Sequence, residues 1–455
     1  MHAFTRKTGT KLLMVLALLI VTLAITACNR EEAPARAEGV DHDAPPRVLR
    51  MVGHYPHTIF GAWPFEEPDW DDVNDIEIAQ MMWDNFHRVQ EYFNVRLEVH
   101  ATDDYDTFLE YFMAGQMTGN PVGDVVFLAG SMMGPAMAAN QLIDLNTLTF
   151  PGSDLHGAQN YITPTVVVDG RIFQVTINNG GSIWSTDGMV VNMDLVNRLG
   201  LPNPTELYEA GQWNWDNFLS IMRTAKNQGY FGVAGVIQDL GKGLMGANDG
   251  ATVTPDLNYG FAQTNTLVSL ELMETIIREG LWQYDTEGSD HTDWGRSSNA
   301  FNDGRAVFGA VRLWMNWSDI ETVAALPFPK GPNNRSGNTW SDGMPAALTI
   351  PVGVEDPVLV LRVLEALMAW PGDDYWMLQH ANVEEARGHF ADEASAQRWA
   401  ALGGQVNGDP GLDLTDYRYF WGPLFEGLHE GTTTLSEFIE SERGSRQEVL
   451  DRTFR

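Results

Sequence analysis

Phe301-Asn302-Asp303-Gly304-Arg305-Ala306-Val307-Phe308-Gly309-Ala310-Val311-Arg312-Leu313-Trp314-Met315-Asn316-Trp317 sets a turn, a strand and a loop in one run. Asn302-Asp303-Gly304 is a polar cluster of the kind that breaks regular structure. The apolar run from Ala306 to Val311 has the length of a buried strand. It delivers Trp314 and Trp317 into the following loop or helix start. A buried strand whose end carries an aromatic ring is a common way to set a flat surface at the rim of a cleft. From the residues alone, each tryptophan fits either that rim or the core.

Upstream, Arg47 to Val52 reads as a first strand, and Ile78, Met82, Phe86, Val89 and Phe93 fall on one helical face. Val95 to Val99 alternates as a strand, Phe108 and Phe112 mark a second helix, and Asp124 to Leu128 is a short buried strand. This alternation predicts an α/β fold with a parallel sheet under covering helices. Ligands approach such sheets at the carboxyl ends of the strands. Those ends are His54 to His57, His100 to Asp104 and Ala129 to Ser131, which makes Tyr55 and Ser131 candidates.

A second set follows. Asp169-Gly170-Arg171-Ile172-Phe173-Gln174-Val175 is a turn and strand, and Asn178-Asn179-Gly180-Gly181 is a polar link leading to Trp184. Gly188 to Asn192 is a strand, Asp194 to Leu199 a short helix closed by Gly200, and Asn214 caps the next helix. Gly232 to Val236 reads as a strand, and Leu270, Met273 and Ile277 as a helix ended by Gly280. Beyond Trp317, Leu326 to Pro332 is a proline-framed connector, and Trp340-Ser341-Asp342-Gly343 precedes a strand at Ala346 to Pro351. Asp356-Pro357 is an N-cap with proline at the first helical position. From Asp373 onward the chain reads as mostly helical and acidic.

At 455 residues the chain exceeds one ordinary core, so two lobes are expected. Arg6, Lys7 and Lys11 precede the first acid, Glu31, so the net charge of −33 deepens to −36 from Cys28 onward. Such a surface repels nucleic acid, and no basic stripe offsets it. The charged start, the apolar run from Leu12 to Ala27 and the residues after it read as an export signal. Ile25-Thr26-Ala27-Cys28 looks like a bacterial lipobox, which implies cleavage before Cys28, lipid on its sulfur and a mature chain of 428 residues. Asn29 to Pro46 lacks apolar periodicity and reads as a disordered tether of roughly 20–30 Å. Cys28 is the only cysteine, which excludes disulfides and thiol catalysis.

Several chemistries find no frame. His54 and His57 with Asp103, Asp104 or Asp106 lack metal-ligand spacing, and Asp409, Asp413 and Asp416 do not make a calcium loop. There is no P-loop, no Gly-x-Ser-x-Gly elbow and no GxGxxG. A lipid-anchored glycoside hydrolase would need two carboxylates flanking a cleft, and among 61 acidic residues no pair stands out. No catalytic residue, metal or cofactor is therefore assigned.

The motifs, taken in order, resemble the extracellular solute-binding proteins of ABC importers, family 1, which include maltodextrin-type binding proteins. Phe112-Met113-Ala114-Gly115 with Gly123-Asp124-Val125-Val126 is similar to the family's helix and "PDV" strand. Met137 to Leu145 resembles its small-residue helix running into "L-x-x-L", and Asp169 to Val175 resembles "DGKIYGI". Val190 to Gly200 is close to "YNKDLFEKAG", Trp213 to Phe218 to "WTWDEF", Phe301 to Ala306 to "FxxGKAA" and Leu326 to Pro332 to "LPxPKGP". Departures are Val190-Val191 where Tyr is common, Met193 for Lys and Gln174 for Gly.

The resemblance implies a two-lobed periplasmic-binding-protein-like fold with a hinge and an interlobe ligand cleft. Lobe 1 comprises 47–180 and 343–385, and lobe 2 comprises 181–342 and 386–455, with crossings near Ile177 to Ser185 and Thr339 to Ala347. Residues 1–27 are the signal peptide and 28–46 the tether. Trp314 matches a tryptophan that stacks on a pyranose ring in sugar-binding relatives, so the resemblance selects the cleft for it and leaves Trp317 to the core. Trp184, Trp340 and Asp342 fall at the crossings, while Trp213 and Trp215 open a helix and are assigned to packing. The implied function is capture of a carbohydrate, most simply an oligosaccharide, by a monomer held on the outer face of the cell membrane through Cys28. Delivery is to the transmembrane subunits of an ABC permease, or the closed form is presented to a membrane sensor.

Overall fold

The run Ala306–Val311 forms a strand, β8, whose six residues are all buried at the centre of a four-stranded sheet. It starts where the sequence predicts, one residue past Arg305, after Gly304 turns the chain at φ 66°. The computed structural model describes residues 36–53, 70, 76–102, 105–148, 150–153, 155, 162–168, 170–177, 187–254, 256–283, 299–313, 320, 322–337, 347–370, 376–390, 392–403 and 418–454. Within these the protein is a two-lobed α/β fold with one sheet in each lobe.

Lobe 1 is built on a six-stranded sheet of order β2-β1-β3-β10-β5-β4. Its strands are β1 (Arg47–Gly53), β2 (Val95–Ala101), β3 (Val125–Phe127), β4 (Ile162–Val168), β5 (Arg171–Ile177) and β10 (Ala347–Thr349). The expected parallel pairing of the first three strands holds for β2, β1 and β3, and β10, β5 and β4 extend the sheet antiparallel. The physical reason is the connection. α1 (Ile76–Phe93) and α2 (Tyr105–Met117) are long enough for parallel crossovers, whereas β4 and β5 are joined by a tight turn at Gly170, φ 73°. The apolar face of α1 is buried as the periodicity requires, with Ile78, Phe86, Val89 and Phe93 in the lobe 1 core. α3 (Gly130–Ala138) follows β3.

Lobe 2 is built on β7 (Phe231–Gly235), β8, β6 (Gly188–Asn192) and β9 (Val323–Leu326), in that order. β7 and β8 are parallel, and β6 runs antiparallel to both β8 and β9. Its helices begin with α4 (Met193–Leu199), α5 (Pro204–Glu209) and α6 (Trp215–Asn227), capped by the side chains of Asn192, Asn203 and Asn214. Trp213 and Trp215 are buried there, and Trp213 Nε1 donates to Pro327 O at 2.8 Å. α7 (Ile237–Gly246) is buried on every side, and α8 (Thr264–Arg278) packs against it.

After β10 the chain continues as α9 (Pro357–Met368), α10 (Trp376–Arg387), α11 (Glu393–Gly403), α12 (Arg418–Glu430) and α13 (Leu435–Phe454). α9 covers lobe 1, with Asp356 capping Leu359 N as the Asp-Pro pair predicts. α11 and α12 belong to lobe 2 through Trp399, Leu424, Phe425 and Leu428. α13 serves both cores: Leu435 and Ile439 lie in that of lobe 2, and Leu450 lies in that of lobe 1, where the helix packs on α3. Among the described residues, no helix is long and apolar enough to cross a membrane.

Candidate functional site

Each sheet has one working edge. In lobe 1 it is formed by the carboxyl ends of β1, β2, β3 and β5 and the amino end of β10, with Ala347 opposite Thr176. In lobe 2 it is formed by the carboxyl ends of β7, β8 and β9 and the amino end of β6, with Gly188 opposite Val311 and Gly235 opposite Ala310. The chain leaves the first edge after Ile177 and reaches the second at Asp187, and it returns between Gly337 and Ala347. Two passages therefore join these edges, and the chain crosses between the lobes again from α9 to α11 and along α13.

Of the residues proposed from sequence, Tyr55, Trp184, Trp314, Trp340 and Asp342 lie outside the described residues, as does Cys28. Ser131 contributes its backbone to the first turn of α3, directly after β3, and its side chain lies outside the description. No contact among the six is therefore described. Tyr55 follows Gly53 at the end of β1 by two residues, Trp314 follows Leu313 beyond β8, and the other three belong to the two passages.

What the described residues do bring together is a buried polar group in lobe 2. Arg312, directly after β8, is 2% exposed. Its Nε donates to Asp187 Oδ1, and its Nη2 lies 3.4 Å from Asp187 Oδ2 and 3.5 Å from Asp239 Oδ1. Asp187 is the residue at which the first passage enters lobe 2, and Asp239 sits in the first turn of α7. Removing such ions from water costs several kcal/mol each, a cost that the planar fork of arginine, set between both carboxylates, helps to offset. Lys242, one turn on from Asp239, is buried as well.

Beside Asp239 stands Gln238, 3% exposed. No hydrogen bond to its side-chain amide is found among the described residues, although buried amides are nearly always paired. The cap of α7, Val236, offers no side-chain acceptor to the first N–H groups of the helix, in contrast to α4, α5 and α6. α3 on the opposite edge is likewise without a side-chain cap. Chemically, a primary amide offers both donors and an acceptor and carries no charge, which suits hydroxyl groups.

The neighbouring carboxylates are not a catalytic pair. Asp187 and Asp239 share one guanidinium and are each 1% exposed, an arrangement for holding structure rather than for exchanging protons with a solute. Among the described residues, no group of three or more His, Cys, Asp or Glu is placed to hold a metal. On the lobe 1 edge, Gln174 is buried and its Nε2 donates to Leu128 O at 2.9 Å, which closes the end of β3.

Sequence reading missed Gln238, Asp239, Asp187 and Arg312. A signal was present: Arg312 is the lone charge within the apolar run from Ala306 to Met315, and Gln238-Asp239 follow a strand directly.

No protein-family model and no curated protein sequence matches the chain. Solved structures do share its fold. A candidate oligosaccharide periplasmic-binding protein from Synechococcus sp. MITs9220 aligns at a TM-score of 0.58 and 13% identity, over 90% of this chain and 100% of that one. An ABC substrate-binding protein from Listeria monocytogenes in complex with cycloalternan aligns at 0.55 and 11% identity, over 89% and 99%. An ABC transporter solute-binding protein from Thermotoga lettingae TMO bound with alpha-D-tagatose aligns at 0.53 and 16% identity, over 89% and 100%. At these identities the likeness is one of fold.

Proposed function

We propose that the protein is an extracytoplasmic solute-binding protein that captures a carbohydrate between its lobes and delivers it to an ABC importer. The observation that carries this reading is the buried Gln238 at the carboxyl edge of the lobe 2 sheet, whose amide has no hydrogen bond among the described residues. Two passages join that edge to its counterpart in lobe 1, in a fold whose structural neighbours are substrate-binding proteins, two of them described with bound sugars. Contacts from both lobes exist together only when the lobes close, so a solute that binds both shifts the population to the closed form.

The finer parts of the reading rest on the sequence. Trp314, Trp340, Asp342, Trp184, Tyr55 and Ser131 join Gln238 around the solute, with Trp314 as the stacking platform. Lobe 1 is 47–180 with 343–385, and lobe 2 is 181–342 with 386–455. The relationship is to family 1, maltodextrin-like binding proteins, the solute is an oligosaccharide, and the monomer is anchored through lipid on Cys28.

The test is a thermal-shift and tryptophan-fluorescence screen over mono- and oligosaccharides, peptides and polyols. Saturable stabilisation by a sugar without its turnover supports the reading. Hydrolysis of a glycoside by the protein alone replaces it with an exported glycosidase.

A further inference from the structure

We infer that α7 is a rigid coupling element, tied at its first turn to Asp187, where one interlobe passage ends, and just past its last turn to residues 331–336, which lead into another, so that solute contact at Gln238 and the setting of the hinge act on each other through it. The inference rests on the binding reading above.

At its amino end, Asp239 meets Arg312, and Arg312 holds Asp187, where the first passage enters lobe 2. At its carboxyl end, the segment that starts the return passage is strapped along the helix. Gly331 N and Asn334 Nδ2 both donate to Ala247 O at 2.9 Å, and Asn333 N donates to Asn248 Oδ1 at 2.8 Å. Asn248 is wholly buried and is fixed in turn by its Nδ2 donating to Asn265 O at 2.7 Å. Asp249 then accepts from Arg335 N at 2.6 Å, Ser336 N at 3.1 Å and the Ser336 hydroxyl at 2.6 Å.

Between the clamps the helix has no room to tilt. A Cβ at Gly243 would lie 2.2 Å from the ring of Phe328, which is itself buried in the strapped segment. Ten residues of helix span about 15 Å. A displacement at one end of a body this closely packed is transmitted rather than absorbed.

Asp249 offers the cleanest test because it is remote from Gln238 along the helix. Its φ of 54° would strain an alanine but suits glycine, and asparagine tolerates it. Asp249→Gly removes the clamp without strain, Asp249→Asn keeps an acceptor oxygen, and Ser336→Ala removes one hydrogen bond at an exposed position. Spin labels at the exposed Glu110 on α2 and Glu271 on α8, in a Cys28→Ser chain, report the interlobe distance distribution. Binding is titrated with maltotriose and cycloalternan.

The expected result is that Asp249→Gly broadens the unliganded distance distribution and weakens binding about 2- to 30-fold, the range for residues that couple sites without touching ligand. Asp249→Asn recovers most of both effects. If Asp249→Gly does not fold, Ser336→Ala is expected to give the same changes in smaller degree. An unaltered distance distribution in the variants overturns the inference, whatever happens to melting temperature. If the unmodified protein binds neither sugar, the functional reading is the one in difficulty, and the distance distribution alone decides the coupling.

Discussion

Arg312→Met is the sharpest test of the buried polar group. It leaves a side chain of similar length in a site that is 2% exposed, so packing changes little and the electrostatic loss is isolated. Asp187 and Asp239, each 1% exposed, lose the guanidinium they share. Removing one partner of a buried ion pair costs about 3–5 kcal/mol, because the remaining charge keeps its desolvation cost and loses the guanidinium that faced it. That is a large part of the roughly 5–15 kcal/mol that stabilises a domain. The sign with pH follows. Loss of the guanidinium makes the charged form of the buried carboxylates less favourable than in the parent, so the folded variant binds protons more readily than the folded parent does. Relative to the parent, the variant therefore loses stability as pH rises from about 4, by up to about 1.4 kcal/mol per pH unit for each proton held. Urea melts of Arg312→Met and the parent at pH 4.5, 6 and 7.5 measure the difference. A deficit under about 1 kcal/mol at pH 7.5, with no pH slope beyond that of the parent, would refute the reasoning. A triple variant in which Asp187 and Asp239 also become leucine should recover most of the loss.

Gln238→Ala should weaken sugar binding by about 1–3 kcal/mol while leaving the urea midpoint near that of the parent, since the amide has no hydrogen bond to lose among the described residues. A fall in stability with unchanged affinity would instead make Gln238 part of the core. Trp314→Ala should cost about 1–3 kcal/mol of affinity if the ring stacks on the solute; equal affinity with a lower melting temperature returns it to the interior. Partial burial opposes ionisation of Asp249, but the Ser336 hydroxyl, the Arg335 and Ser336 N–H groups and the Arg335 charge outweigh it and hold the carboxyl below its ordinary range. A depressed pKa means that the clamp contributes fully above about pH 4 and is lost as pH falls through the lowered value. The Arg335 and Ser336 amide resonances should shift in that acid window, and a shift confined to neutral pH would contradict the assignment. Cys28→Ser should abolish incorporation of labelled lipid, and its persistence would remove the lipobox.

The elements most legible in the sequence were those with a local signature. β8 was bounded by Asn302-Asp303-Gly304 and was apolar throughout, and α9 announced itself through Asp356-Pro357. β9 has only four residues, and β4 carries a proline, so neither offers a recognisable period. α7 was invisible for a different reason. A helix buried on every side has no polar stripe to reveal its period, and Gly241, Gly243 and Gly246 read as breakers although they admit close neighbours such as Phe328. Strand direction in lobe 1 depends on the length of each connection and on non-local pairing, which alternation alone does not encode. In the candidate site, Arg312 was within the stretch first read, yet its partners lie 125 and 73 residues away. Pairings at that separation are properties of the tertiary fold.

That α13 places Leu450 in the core begun by β1 also says something about the order in which the protein can be made. The contact with α3 closes a loop of about 300 residues, and lobe 1 receives β10 and α9 only after most of lobe 2 has been synthesised. Such non-local pairing slows folding and postpones completion of the first lobe until α13 has been made. Were the proposed export signal to thread the chain unfolded through a channel from its amino end, the delay would be useful. The segment that enters first cannot finish folding while the segment that completes it is still on the other side.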